Sequence, residues 1–221
     1  MLRATSARAE DTPPPSWQGA ALGVTALVSG DTPEKLDGAL ERAGYSTLPT
    51  TKLQLGPGFS MWYHHWAVGG DFVVGLSRTA RGPDGARFSL TQWLLDFHGG
   101  YAVIETHNLI VTPEVIVGGQ IANAEMDPYA PPLFGTPAGV TTTIGISQQS
   151  VIVGLSLGFD YQVPLAKRRP RSWGLILGTH VGYARGFPQA WYESGTKLEG
   201  GPGISGSGPF ARFFVGITLP S

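Results

Sequence analysis

Between Ser150 and Val163 the sequence alternates with period two. Val151, Val153, Leu155, Leu157, Phe159, Tyr161 and Val163 are apolar. The residues between them, Ser150, Gly154, Ser156, Gly158, Asp160 and Gln162, are small or polar, with Ile152 the single exception. Successive side chains of an extended chain point to opposite faces, so this pattern describes a two-faced strand about fourteen residues long. Strands of soluble domains usually run about five or six residues. A tilted strand that crosses a bilayer needs about nine to eleven, so this one is long enough to cross and overrun it.

The same split recurs along the chain. Ala20, Leu22, Val24 and Val28 oppose Gly19, Gly23 and Thr25; Leu53, Leu55, Phe59 and Met61 oppose Gln54, Gly56, Gly58 and Ser60; Val68, Phe72, Val74 and Leu76 oppose Gly69, Asp71, Gly75 and Ser77. Further on, Trp93, Leu95, Phe97, Tyr101 and Val103 oppose Gln92, Asp96, His98 and Gly100, while Leu109, Val111, Val115 and Val117 oppose Asn108, Thr112, Glu114, Gly118 and Gln120. Trp173, Leu175, Leu177, Val181 and Tyr183 oppose Gly174, Gly178, His180 and Gly182. Ala211, Phe213, Val215, Ile217 and Leu219 oppose Arg212, Gly216 and Thr218, with Phe210 and Phe214 as aromatic exceptions on the polar side. About eight strands are expected, with one face uniformly apolar.

Alternation alone would also describe a soluble barrel with an apolar cavity and a charged exterior. Composition separates the two. Only 14% of the residues are charged, with Lys+Arg 15 against Asp+Glu 16, while Gly (32) and Pro (18) are abundant. The non-apolar face is mostly Gly, Ser, Gln and isolated carboxylates, too little charge to solubilise an exterior but well suited to a crowded lumen. The expectation is therefore an all-β fold, a closed antiparallel up-and-down transmembrane barrel. Closure matters because an open sheet in lipid would leave edge N–H and C=O groups unpaired. A net charge of -1 gives no argument for a nucleic-acid partner, and the absence of cysteine removes thiol chemistry, disulfides and cysteine metal sites.

The connections alternate in length. Segments 30–50, about 79–87, 123–141 (with Pro128, Pro131, Pro132 and Pro137) and 188–207 are long; His64-His65, about 103–106 and Pro164 to Arg171 are mostly shorter. The first long connection carries one short amphipathic helix near 33–43, with Thr32 as N-cap, Pro33 at its first position, Leu36, Leu40 and Ala43 as its apolar stripe, and Gly44 as its stop. Residues 1–16, ending in Pro13-Pro14-Pro15, read as a flexible leader in which Ser6-Ala7-Arg8-Ala9 has the form of a signal-peptide remnant; 17–221 reads as one barrel domain.

The segment Ser172–Leu219 resembles the small bacterial outer-membrane β-barrel proteins. A strand ending Gly182-Tyr183 leads through a loop with Trp191 and Gly200-Gly201-Pro202 to a last strand entered by Gly208-Pro209-Phe210. The resemblance is architectural and extends, through the alternation, over most of residues 17–219. It implies long outer loops, short periplasmic turns and aromatic girdles, the latter assigned to Trp17, Trp66, Tyr101, Tyr161 and Trp173 at one rim and Tyr183 with Phe187 at the other. Such barrels commonly finish on an aromatic residue; here the sequence reads Thr218-Leu219-Pro220-Ser221.

The polar face gathers the chemistry. Asp71, Asp96, Glu114 and Asp160 with Arg212, His98 and His180 are expected inside the barrel as a hydrogen-bonded network anchored by Arg212, since buried carboxylates without partners are costly. Pairing His98 or His180 with Ser156 or Ser60 would make a hydrolase, but no G-x-S-x-G, H-E-x-x-H or other spaced motif supports it, and no enzyme, cofactor or metal is expected. His64-His65 reads as an exposed turn, Gly200-Gly201-Pro202-Gly203 as turn chemistry, and Lys167-Arg168-Arg169-Pro170-Arg171 as a charged turn beside lipid head groups or solvent. The function expected is a structural, adhesive or assembly role in the bacterial outer membrane. Its partners are membrane lipids and a protein met through the outer loops. A narrow channel or a lipid- or small-molecule-binding barrel is the alternative, and a soluble cavity-type barrel the third reading.

Overall fold

The computed structural model describes residues 18–30, 34–126, 144–164, 174–198 and 201–219. The leader, the N-cap Thr32 with Pro33, the proline-rich stretch, the basic run, Trp17 and Trp173 lie outside them. In chain order the elements are β1 (Gln18–Gly30), α1 (Glu34–Arg42), β2 (Thr51–Tyr63), β3 (Trp66–Gly75), β4 (Arg78–Arg81), β5 (Arg87–Tyr101), β6 (Ile104–Glu105), β7 (Leu109–Met126), β8 (Ile144–Pro164), β9 (Gly174–Glu193), β10 (Thr196–Leu198) and β11 (Gly208–Leu219).

These strands close into an antiparallel eight-stranded barrel. Each stave pairs with its sequence neighbour, and β1 closes the ring against β11 from Ala20↔Leu219 to Ser29↔Phe210. The third stave is broken. β3 ends at Gly75, and β4 resumes along β5 with Arg78↔Leu90. The two-residue turn His64-His65 joins β2 to β3, and Ser194-Gly195, both with positive φ, make the hairpin between β9 and β10.

Three staves are longer than the alternation predicts. β8 has 21 residues, β9 20 and β7 18, against 13 in β1 and 10 in β3. Part of the stretch expected as a loop from 188 onward therefore continues β9. The segment 79–87 likewise holds β4 and a 3-10 turn at Pro83–Gly85. Beyond the apolar wall no constraint keeps one face greasy, so strand continues there without alternation.

Side chains sort by parity. On the outside, Leu22, Val24, Leu55, Val68, Phe97, Val115, Leu155, Val181, Phe213 and Val215 are all exposed, and every stave contributes. On the inside, the small residues allow the walls to come close. A Cβ on Gly58 would overlap Asp71 and Thr25, one on Gly69 would overlap His98, and one on Gly178 would meet Asp160 Oδ1 at 2.6 Å.

The interior is layered. At the short-turn end Ala21, Trp62, Ala67, Ile110, Ile176 and Phe214 form an apolar plug. A charged layer follows, then a thin apolar layer of Leu27, Val73, Leu94 and Ile152 with Phe210 packed against it. The opposite end is filled by the largest core, where Leu36 and Leu40 of α1 meet Phe88, Leu90, Ile146, Trp191 and Ile204. Helix α1 ends on Gly44 (φ +82), with Tyr45 N–H reaching Leu40 O and Gly44 N–H reaching Glu41 O. Arg42 in its last turn donates to Gly38 O. The following segment is tied to the wall: Ser46 N–H donates to Arg81 O, Arg81 N–H to Ser46 Oγ, and Arg78 Nη1 to Pro49 O. None of the described helices is long and apolar enough to cross a membrane.

Candidate functional site

Seven charged or titratable residues of the polar face are buried together at mid-height. They come from six strands: Asp71 on β3, Asp96 and His98 on β5, Glu114 on β7, Asp160 on β8, His180 on β9 and Arg212 on β11. Register brings them level, since Asp71↔Asp96, Gly158↔His180 and Arg212↔His180 are cross-strand partners.

Arg212 is the hub. Its Nη2 donates to both oxygens of Asp96 at 2.9 Å, its Nη1 to His98 Nδ1 at 2.8 Å, and its Nε lies 3.1 Å from Asp71 Oδ2. A guanidinium only donates, so His98 Nδ1 accepts and the ring proton sits on Nε2. Thr25 Oγ1 donates to Asp71 Oδ1. The second half centres on His180, whose Nδ1 is 2.8 Å from Glu114 Oε2 and whose Nε2 is 3.3 Å from Asp160 Oδ1; a ring carrying N–H on both sides satisfies both carboxylates. The two halves meet where the rings of His98 and His180 pack edge-on with centroids 5.7 Å apart.

Two sets of side chains have metal-ligand composition: His98, Glu114 and His180, and Asp71, Asp96 and His98. In the second the guanidinium of Arg212 already holds the place a cation would take. In the first, His180 Nδ1 already hydrogen-bonds Glu114 Oε2 at 2.8 Å. Of the serine–histidine pairs considered, Ser156 and His180 share a carboxylate: Ser156 Oγ donates to Glu114 Oε2 at 2.9 Å, and His180 Nδ1 lies 2.8 Å from the same oxygen.

A second polar layer lies toward α1; the alternation places Gln54, Gln92, Gln120 and Ser150 on the polar face, while Lys52 and Arg78 were not singled out. Lys52, Gln54, Arg78, Gln92, Gln120 and Ser150 are all buried there. Arg78 Nη2 donates to Gln92 Oε1, Lys52 Nζ to Gln120 Oε1, and Ser150 Oγ to Ile204 O. The parity that exposes Leu53, Leu55 and Ile121 points Lys52, Gln54 and Gln120 inward, so the signal was present. The apolar end plug was also missed, although Leu109-Ile110-Val111 and Leu175-Ile176-Leu177, apolar on both parities, mark places where the inward position is apolar too.

Among the expected girdle residues, Trp66, Tyr101 and Tyr161 are exposed near the short-turn end and Tyr183 farther toward the other, with Trp66 and Tyr101 packed edge-on. At the His64-His65 turn, His65 Nδ1 pairs with Glu105 Oε2 at 2.8 Å. No protein-family model matches the chain, and no curated protein matches it either.

Proposed function

We propose that the chain is an integral barrel of the bacterial outer membrane whose lumen is filled by side chains, and that it acts in a structural, adhesive or assembly role. One observation carries this reading: every stave turns large apolar side chains outward, while Asp71, Asp96, Glu114, Asp160 and Arg212 are buried inside and engaged with one another or with His98 and His180. Each exposed Leu, Val or Phe leaves apolar area in water that lipid would remove, worth roughly 1.5–3 kcal/mol per side chain, and the sum around a closed wall exceeds what a water-facing surface tolerates. Trp66, Tyr101, Tyr161 and Tyr183 suit the interfacial belts of such a wall.

A filled lumen argues for holding something at the ends over moving solutes through the middle. Membrane lipids are the partners of the wall, and the long-loop end with α1 is the surface for a protein partner; nucleic acid, cofactor and catalysis have no part in this reading. The test is fractionation and conductance. The protein should leave washed membranes only with detergent, show heat-modifiable gel mobility, and stay silent in planar bilayers. Release without detergent overturns the membrane reading, and steady conductance replaces the filled lumen with a channel.

A further inference from the structure

Between the charged layer and the core beneath α1 the side chains leave a slender cavity of about 30 Å³. Its apolar lining comes from Leu27, Leu94, Ile116, Ile152 and Phe210. The polar lining is Ser29, Lys52, Gln54 and Gln120, with Asp96 and Arg212 below. That size limits any occupant to a few heavy atoms.

The polar lining is incompletely satisfied. Both amide atoms of Gln54, 1% exposed, lack a hydrogen-bond partner, as do Gln120 Nε2 and Ser29 Oγ. Buried amides are paired in nearly all folded proteins, because an unpaired one has given up its bonds to water for nothing. The charged groups are engaged already: Arg212 with Asp96, His98 and Asp71, and Lys52 Nζ with Gln120 Oε1 at 3.5 Å. An ion entering the cavity would have to break one of these pairs.

We infer that this cavity is a binding site for a small neutral molecule that carries a hydrogen-bond donor and acceptor side by side, of the short carboxamide type. A primary amide complements Gln54 at both atoms, giving an N–H to Oε1 and accepting from Nε2, and its short alkyl end meets the apolar lining. Gln120 Nε2 and the Ser29 hydroxyl are further donors at the same cavity. The site lies within the wall and stands whether that wall faces lipid or water.

The test uses the full chain, folded in detergent micelles, with acetamide and propionamide as probes and acetate as the charged isostere, read by saturation transfer from protein to ligand. Both amides should bind, acetate at least tenfold more weakly. Gln54→Leu should weaken amide binding at least tenfold while gel mobility of the folded form is kept. Ile152→Phe, which adds bulk from the apolar lining, should do the same without touching a polar group. No transfer from either amide, as for a cavity holding water alone, overturns the inference. So does amide binding undiminished in both variants, or acetate binding as tightly as acetamide.

Discussion

The lumen contains two polar layers built from the same kind of strand positions, and they differ in how far they close on themselves. Around Arg212 and His180, carboxylates, imidazoles and guanidinium pair at 2.8 to 3.3 Å in two groups that meet at the His98 and His180 rings. Nearer α1, Gln54, Gln92 and Gln120 each keep at least one amide atom without a partner. Charge explains the difference. A buried carboxylate without a counter-ion costs so much that the surrounding positions must supply one, whereas an orphaned amide costs about 1–3 kcal/mol and can be tolerated beside a cavity.

The largest expected break in this contrast is Arg212→Leu. It strands Asp71 and Asp96 together in the lumen and should lower stability by about 3–5 kcal/mol, read as the denaturant midpoint of the micellar protein. Arg212→Lys should recover only part, because an ammonium cannot span Asp71, Asp96 and His98 at once. His180→Leu comes next, at roughly 3 kcal/mol, since Glu114 retains Ser156 while Asp160 loses the only side-chain partner described for it. Gly69→Ala sets a methyl against the His98 ring and should cost about 1–3 kcal/mol. Gln54→Leu should be smallest, within about 1 kcal/mol of neutral, because it removes an amide that was never paired. A loss there as large as that at Arg212 would erase the distinction between the layers.

Much of this was legible in the residues. Period two assigns each side chain to a face whatever its partner strand, so the apolar wall and the seven residues of the charged layer could be read from local sequence alone. Pairing could not. Arg212 and Asp96 are 116 positions apart, and only closure of the ring sets them side by side. The end plugs were hidden for another reason: Trp62, Ile110, Ile176 and Trp191 are apolar residues at inward positions, and alternation assigns apolar residues to the outside. The length of β9 escaped because nothing beyond the wall enforces alternation between Arg185 and Glu193.

The position of Arg212 on β11 has a consequence for assembly. Asp71, Asp96, Glu114 and Asp160 all belong to staves made earlier in the chain, and the guanidinium that answers two of them arrives with the stave that also seals β1. A sheet lacking β11 thus carries two open edges and an unanswered cluster of negative charge at once. Sealing the edge and neutralising the interior become one event, so a nearly complete ring gains little until the final strand is seated.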